Sequence, residues 1–383
     1  NNINIGIAMF NIFQIFVISS AFSYAITTLR QIGISKKSAL VLAIVLAIMP
    51  YNIIYSFTVW KDIIFGASFL IFIVAIYRYL NQLTKHEKML LSTIAISGIT
   101  ICLFRSNALI AFFATTVIFL IIFKKRYLKL GILLCGIVCL SFILKNPVLK
   151  ASNIPQPDIV ESLAIPMQQI TRVLTEKNLP EDDIALISNV ANPNQLRASY
   201  VPYIHDPLKY IVRMNGNKNY ISEHKIDFLA LYLKLGIKYP WQYTKAWIDQ
   251  TKGYWNAGYR YWRWADEIAA NDYGIDRSTV SSKIKNLFST YLQIFDKFDF
   301  LSPLISIGFA AWILIVIFFL SLKKKDRTAM ILAIFLLTTW GTLLIATPVF
   351  SEFRYVYFLF TCIPFLSIAT LIKSRRKALH EKK

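Results

Sequence analysis

Nine stretches of the chain are apolar over lengths that suit crossings of ~30 Å of hydrocarbon. They run over residues 5–29, 39–59, 63–80, 89–104, 108–123, 130–145, 301–321, 328–347 and 351–372. Between the sixth and the seventh lies a long stretch, 146–300, in which apolar residues recur at helical spacing instead of in unbroken runs. That period predicts helices over 159–174, 225–235, 241–252 and 280–295. Glu181-Asp182-Asp183 stand ahead of an apolar run as acids do in a first helical turn, and Pro240 suits a helix start. Pro155, Pro157, Pro193, Pro202 and Pro207 punctuate the connections. The runs 89–104 and 108–123 are separated only by Arg105-Ser106-Asn107. This reads as a tight turn between two short spans, because an arginine in mid-bilayer is costly. The pattern therefore predicts an all-α polytopic membrane protein in three parts. Residues 1–145 form an N-terminal transmembrane bundle of about six spans, 146–300 a mainly helical soluble domain, and 301–383 a C-terminal bundle of about three spans with a basic tail.

Composition agrees, and charge adds sidedness. The chain has 383 residues, 56% of them hydrophobic, too many for a soluble domain of this length. Its net charge of +21 invites a nucleic-acid reading, but the distribution opposes it. Residues 146–300 hold 18 Lys/Arg against 16 Asp/Glu, whereas the apolar remainder holds 24 against 5. Most of that excess sits in alternate short connections: Arg30 to Lys37, Arg78 to Lys88, Lys124 to Lys129, Lys323 to Arg327, and the tail from Lys373. The positive-inside rule places these in the cytoplasm. Residues 146–300 and the turns Trp60-Lys61-Asp62, Arg105-Ser106-Asn107 and Ser351 to Arg354 then lie at the outer face of a cell membrane. The four cysteines lie in apolar runs and suggest no disulfide framework. The four histidines fit no metal spacing, so neither metal nor cofactor is indicated, although a divalent ion is compatible with the chemistry below.

Polar groups at the outer ends of apolar spans are the main chemical feature. Asp62 and Lys61 are held at the membrane surface by a minimal turn. Arg105 and Asn107 occupy another, and Glu352, Arg354 and Tyr355 open the last span. Arginine's planar fork suits phosphate, and a carboxylate beside it can take a proton from a hydroxyl. An outer site with both fits transfer from a lipid-linked phosphosugar. A structural role, with these charges paired or snorkelling, is the competing explanation. The aromatic run from Tyr254-Trp255 to Trp264, like Trp60, suits either sugar stacking or the membrane interface. Gln168, Gln169 and Arg172 could reach donor or acceptor, or could be the polar face of an amphipathic helix.

Four motifs in order carry a family resemblance: Tyr55-Ser56-Phe57-Thr58-Val59-Trp60-Lys61-Asp62, Phe104-Arg105-Ser106-Asn107, Ile165-Pro166-Met167-Gln168-Gln169-Ile170, and Thr347-Pro348-Val349-Phe350-Ser351-Glu352-Phe353-Arg354-Tyr355. They resemble a bacterial family of polytopic membrane proteins that is itself similar to the GT-C-type glycosyltransferases. The resemblance implies a GT-C-like helical bundle, a polyprenyl-phosphate-linked sugar as donor and a cell-surface glycan or glycoconjugate as acceptor. Asp62 and Glu352 would be the catalytic candidates. Lys61, Arg105, Asn107, Arg354, Tyr355, Gln168, Gln169 and Arg172 would bind substrate or donor phosphate, and Trp60, Tyr254 and Trp255 would stack on sugar. GT-C enzymes place their catalytic acid in a first outer loop after a first span. This chain opens outside at Asn1, so a truncated start is expected, with Asp62 as a second-loop acid. A transporter or flippase, and a non-catalytic envelope-assembly protein, are the alternatives.

Overall fold

The computed structural model of the chain describes residues 2–148, 151–152, 159–259, 271, 273, 275 and 281–380. Among these residues the fold is all-α, with no strands. The first helices are α1 (Asn2–Ile32), α2 (Lys36–Ile48), α3 (Pro50–Phe57), α4 (Lys61–Leu80), α5 (Glu87–Phe104), α6 (Ser106–Phe123) and α7 (Leu128–Ile143). Next come α8 (Ala164–Glu176), α9 (Glu181–Val190), α10 (Pro193–Ala198), α11 (Asp206–Met214), α12 (Tyr220–Glu223), α13 (Lys225–Lys238) and α14 (Pro240–Thr251). The chain closes with α15 (Ser282–Lys297), α16 (Ile307–Lys323), α17 (Arg327–Ile345) and α18 (Phe353–His380). Two compact units result: residues 1–145, 257–339 and 353–383 form one, and residues 146–256 and 340–352 the other.

Every apolar run expected to cross the membrane is helical, but the number of crossings needs correction. Six helical runs are long and apolar enough to cross, or seven if one bent pair counts as a span. The expected nine is larger for three reasons. Helix α16, at 17 residues, is short of the ~20 that a span needs. Residues 106–143 count as one apolar stretch, although the helix breaks at Lys124, where φ is 49°. Gly131 of α7 lies against Leu120 of α6, which marks a hairpin about that break. Lastly, the run 39–59 is not one straight helix: α2 and α3 are bent by 57°.

Pro50 causes this bend. It has no N–H to donate to the Leu46 carbonyl one turn back, and its ring would clash there. The amide of Asn52 donates to the Leu46 carbonyl instead, at 2.7 Å. The end of α3 leaves further carbonyls without helical partners. Gln14, fully buried in α1, donates to the carbonyls of Tyr55 (2.6 Å), Thr58 (3.0 Å) and Ser56 (3.3 Å). In an apolar surround such groups cannot turn to water. Gln14→Leu is therefore expected to lower stability by about 1–3 kcal/mol. Thermal unfolding of the detergent-solubilised chain checks this, and an unchanged midpoint would mean that the carbonyls find other partners.

The N-terminal end of α4 is fixed by its neighbours. Gly66 lets α18 approach closely: a Cβ there would lie 2.7 Å from the ring of Tyr357. The Thr361 hydroxyl donates to the Gly66 carbonyl at 3.1 Å. Tyr357, also buried, donates its hydroxyl to Asn52 Oδ1 at 2.8 Å, which ties α18 to the bend. Tyr51, Tyr55, Phe353 and Tyr357 pack ring against ring around that tie. Helices α5 and α6 form a hairpin about Arg105, with Gly98 of α5 against Phe112 of α6.

The second unit has its own core. Met167, Ile170, Val173 and Leu174 of α8 pack with Ile187 and Val190 of α9, Leu208 and Val212 of α11, and Leu231 and Leu235 of α13. The spacing that predicted helices in 146–300 is the spacing of these buried positions.

Candidate functional site

Three helix N-termini carry the residues that stand out in the sequence of the first unit. Asp62 is in the first turn of α4, where an anion meets the positive end of the helix dipole. Arg105 is a single extended residue (φ −137°, ψ 128°) that ends α5 and begins α6. Arg354 and Tyr355 open α18.

Asp62 and Arg105 meet in the interior. Arg105 Nε lies 3.2 Å from Asp62 Oδ1, with the side chains only 6% and 4% exposed. The pair makes ionic contact without hydrogen-bond alignment, since Asp62 Oδ1 accepts no hydrogen bond from the described residues. Arg105 Nη1 donates to the Tyr355 carbonyl at 3.0 Å. Its guanidinium also sits 4.6 Å from the Tyr355 ring and 5.6 Å from that of Phe65. Arg354 uses the same tyrosine: Nη2 donates to the Tyr355 hydroxyl at 2.9 Å, and the guanidinium lies 4.8 Å from the ring. It is equally near the Trp60 ring, at 4.8 Å. Tyr355 thus contacts two guanidinium groups, and Trp60 contacts one.

Two lysines add positive charge. Lys61, the first residue of α4, is exposed. Lys145, just after α7, reaches the Cys102 carbonyl with Nζ at 3.4 Å and is close enough to Lys61 for the two charges to repel. Asn107 is half-buried in the first turn of α6. Lys145 and Phe65 are absent from the residues singled out in the sequence. The signal for Lys145 is a lone cation at the end of an apolar run; nothing local marks Phe65.

The other sequence candidates belong to the second unit. Glu352 is half-buried, and its N–H donates to the Phe350 carbonyl at 2.8 Å. Gln168 donates to the carbonyls of Ile204 (2.6 Å) and Val201 (3.0 Å). Gln169 donates to the Tyr243 carbonyl at 3.1 Å and accepts from the Tyr232 hydroxyl at 2.7 Å. Arg172 pairs with Asp249 at 2.6 Å and Glu176 at 2.8 Å. Tyr254 is fully buried, with its hydroxyl donating to the Phe350 carbonyl at 3.2 Å. Trp255 is half-buried and donates to Thr251 Oγ1 at 3.3 Å. The rest of that aromatic run, Arg260 to Trp264, lies outside the described residues. These side chains hold the second unit's own backbone and helices together.

Among the described residues no group of three or more His, Cys, Asp or Glu could hold a metal. The first unit instead gathers cations. Arg105 pairs with one carboxylate, Asp62; Lys61 precedes it, Lys145 is near Lys61, and Arg354 shares the Tyr355 ring with Arg105, at helix ends whose free N–H groups add partial positive charge. Such a place favours an anion, and guanidinium groups favour one with several oxygens. Cation–π contacts with Tyr355, Phe65 and Trp60 help to hold the two guanidinium groups in place. No curated protein and no solved structure matches the chain. The profile of one family matches it from end to end, over residues 1–383, and the chain thus belongs to DUF6020, a family of unknown function with several candidate membrane spans in this member.

Proposed function

We propose that this protein is a membrane glycosyltransferase that moves a sugar from a polyprenyl-phosphate donor to a cell-surface glycan or glycoconjugate. The single observation that carries this is the excess of cations around the buried Asp62–Arg105 pair at the ends of apolar helices. A lipid-linked phosphate has its charge at that depth and its chain in hydrocarbon. In the proposed step an acceptor hydroxyl attacks the anomeric carbon and the bond from that carbon to the phosphate oxygen breaks. The lipid phosphate leaves with the electron pair on its oxygen, and the Arg105 and Arg354 guanidinium groups stabilise the charge that develops there. The hydroxyl proton passes to a carboxylate, for which Asp62 is the candidate in the same unit. Outer-face placement, with 146–300 extracytoplasmic and the C-terminus cytoplasmic, rests on the alternation of basic connections. The GT-C likeness rests on the four motifs alone.

The test is transfer from a radiolabelled polyprenyl-phosphate sugar by membranes containing the full-length protein. Asp62→Ala, Arg105→Ala and Arg354→Ala are each expected to lower the rate by about 10²-fold, the scale of losing one preorganised charge-stabilising group. Arg354 is half-buried, so its variant separates chemistry from folding best. Equal transfer by wild type and variants would overturn the proposal. One observation favours a second reading: the 57° break between α2 and α3 resembles the discontinuous helices of transporters. Lipid scrambling or substrate flux by the purified protein in liposomes, without sugar transfer, would support that alternative.

A further inference from the structure

Helix α13 is apolar on two opposite faces. One face, Phe228, Leu231 and Leu235, is buried in the core of the second unit. The opposite face carries Ile226, Leu229, Leu233 and Ile237, spaced three or four residues apart as one helical stripe. All four are exposed, Ile226 by 82% and Ile237 by 83%. Trp241, at the start of α14, is 60% exposed. The fold does not need this second face, because the first already anchors the helix. By contrast, the exposed positions of α9 in the same unit are Glu181, Asp182, Ala185, Ser188 and Asn189, an ordinary solvated face. Contiguous exposed apolar side chains mark an interaction surface.

The charges beside the stripe point to its occupant. Lys225 and Lys238 flank it, and Lys245 Nζ lies 5.4 Å from the Trp241 ring. Lys234 pairs with Asp183. Glu223 and Asp227, the latter against His224, lie at the N-terminal end, so the three lysines outnumber the two acids beside the stripe and the basic excess lies toward Lys238 and Lys245. An apolar stripe with lysines on its flanks and a tryptophan at its end is the composition of a helix that lies in the bilayer interface. The chain carries six to seven candidate spans of its own, so a bilayer is always at hand. We infer that α13 and Trp241 dock on the membrane surface, with the stripe among lipid tails and the lysines on anionic headgroups. This goes beyond the proposed transfer reaction and does not depend on it.

The test uses the full chain in phosphatidylcholine nanodiscs with and without phosphatidylglycerol. Nitroxide labels are placed at Leu233→Cys, Ile237→Cys and, as an aqueous reference, Ser188→Cys. The four native cysteines are replaced by alanine. At positions 233 and 237 the expected result is a loss of collisions with a water-soluble nickel reagent and a gain with oxygen, larger when phosphatidylglycerol is present. In the protein with its native cysteines, brominated lipid is expected to quench the fluorescence component that Trp241→Phe removes. Nickel collisions equal to those at Ser188→Cys would overturn the inference. So would shielding from both reagents, which would mean that protein or a second copy covers the stripe. An unquenched Trp241 component overturns it independently of the labelled variants.

Discussion

Truncating Asp62 to alanine is expected to lower stability by about 3–5 kcal/mol, because it strands the Arg105 guanidinium in an apolar interior. Both side chains are almost fully buried, 6% and 4% exposed. Arg105→Ala leaves Asp62 in the same position and is expected to cost a similar amount. The double variant Asp62→Ala/Arg105→Met removes both charges and fills part of the space. It is expected to regain most of the loss, since a buried pair contributes little net stability beside an apolar replacement. Unfolding midpoints of the four proteins in one detergent, arranged as a double-mutant cycle, read the coupling directly. If the pair served structure alone, the double variant would also work as well as the wild type. Under the proposed function it folds and transfers no sugar. Additive single losses, with no recovery in the double variant, would show that the two side chains do not share a buried site.

Acid is expected to weaken the second unit through His205. This side chain is fully buried, and neither ring nitrogen makes a hydrogen bond of good geometry among the described residues, the Val160 backbone being a polar partner of poorer geometry. Burial pushes its pKa down from 6.5 to about 4, and the Lys209 charge adds to the shift; Asp206, Glu161 and the Val160 backbone oppose it. The unfolded chain therefore binds a proton that the folded unit refuses between these two values. Stability is full above 6.5 and falls as pH drops toward about 4, by about 3 kcal/mol in all. Thermal unfolding of the intact protein across this range measures it. His205→Leu, which cannot take the proton, is expected to flatten the dependence. A slope unchanged in His205→Leu would assign the acid sensitivity to other groups.

Much of the fold was legible because hydrophobicity decides it locally. Each of the nine apolar runs became helix, and the period in 146–300 located α8, α13 and α14. The bend at Pro50 was less legible. A proline inside an apolar run can kink or end a helix, and the choice depends on what satisfies the freed carbonyls. Here Asn52 satisfies one, from two residues downstream of the proline, and Gln14 satisfies others from a different helix. The candidate site was legible in its residue types but not in its pairings. Asp62 has Lys61 beside it in sequence, yet its ionic partner is Arg105, brought in by the α5–α6 hairpin. Arg172 reads as a free cation on a polar face, whereas Asp249, far along the chain, holds it. Tyr254 stands in an aromatic-rich run, and only its tertiary surroundings reveal that its ring is interior. Long-range partners of polar groups leave no periodic trace, so sequence patterns find the elements more readily than the contacts between them.

Binding of polyprenyl phosphate tests the central claim most directly, because it asks about the anion site without requiring the right sugar or acceptor. The measurement is titration of the purified full-length protein in nanodiscs, wild type against Arg354→Ala, with uncharged polyprenol as the control lipid. Wild type is expected to bind the phosphate and not the alcohol. Arg354→Ala is expected to bind the phosphate about 10–100-fold more weakly, the loss of a charge-assisted hydrogen bond. Equal affinity for phosphate and alcohol, or an affinity that Arg354→Ala leaves unchanged, would contradict the assignment of this cationic cluster to a lipid-linked phosphate.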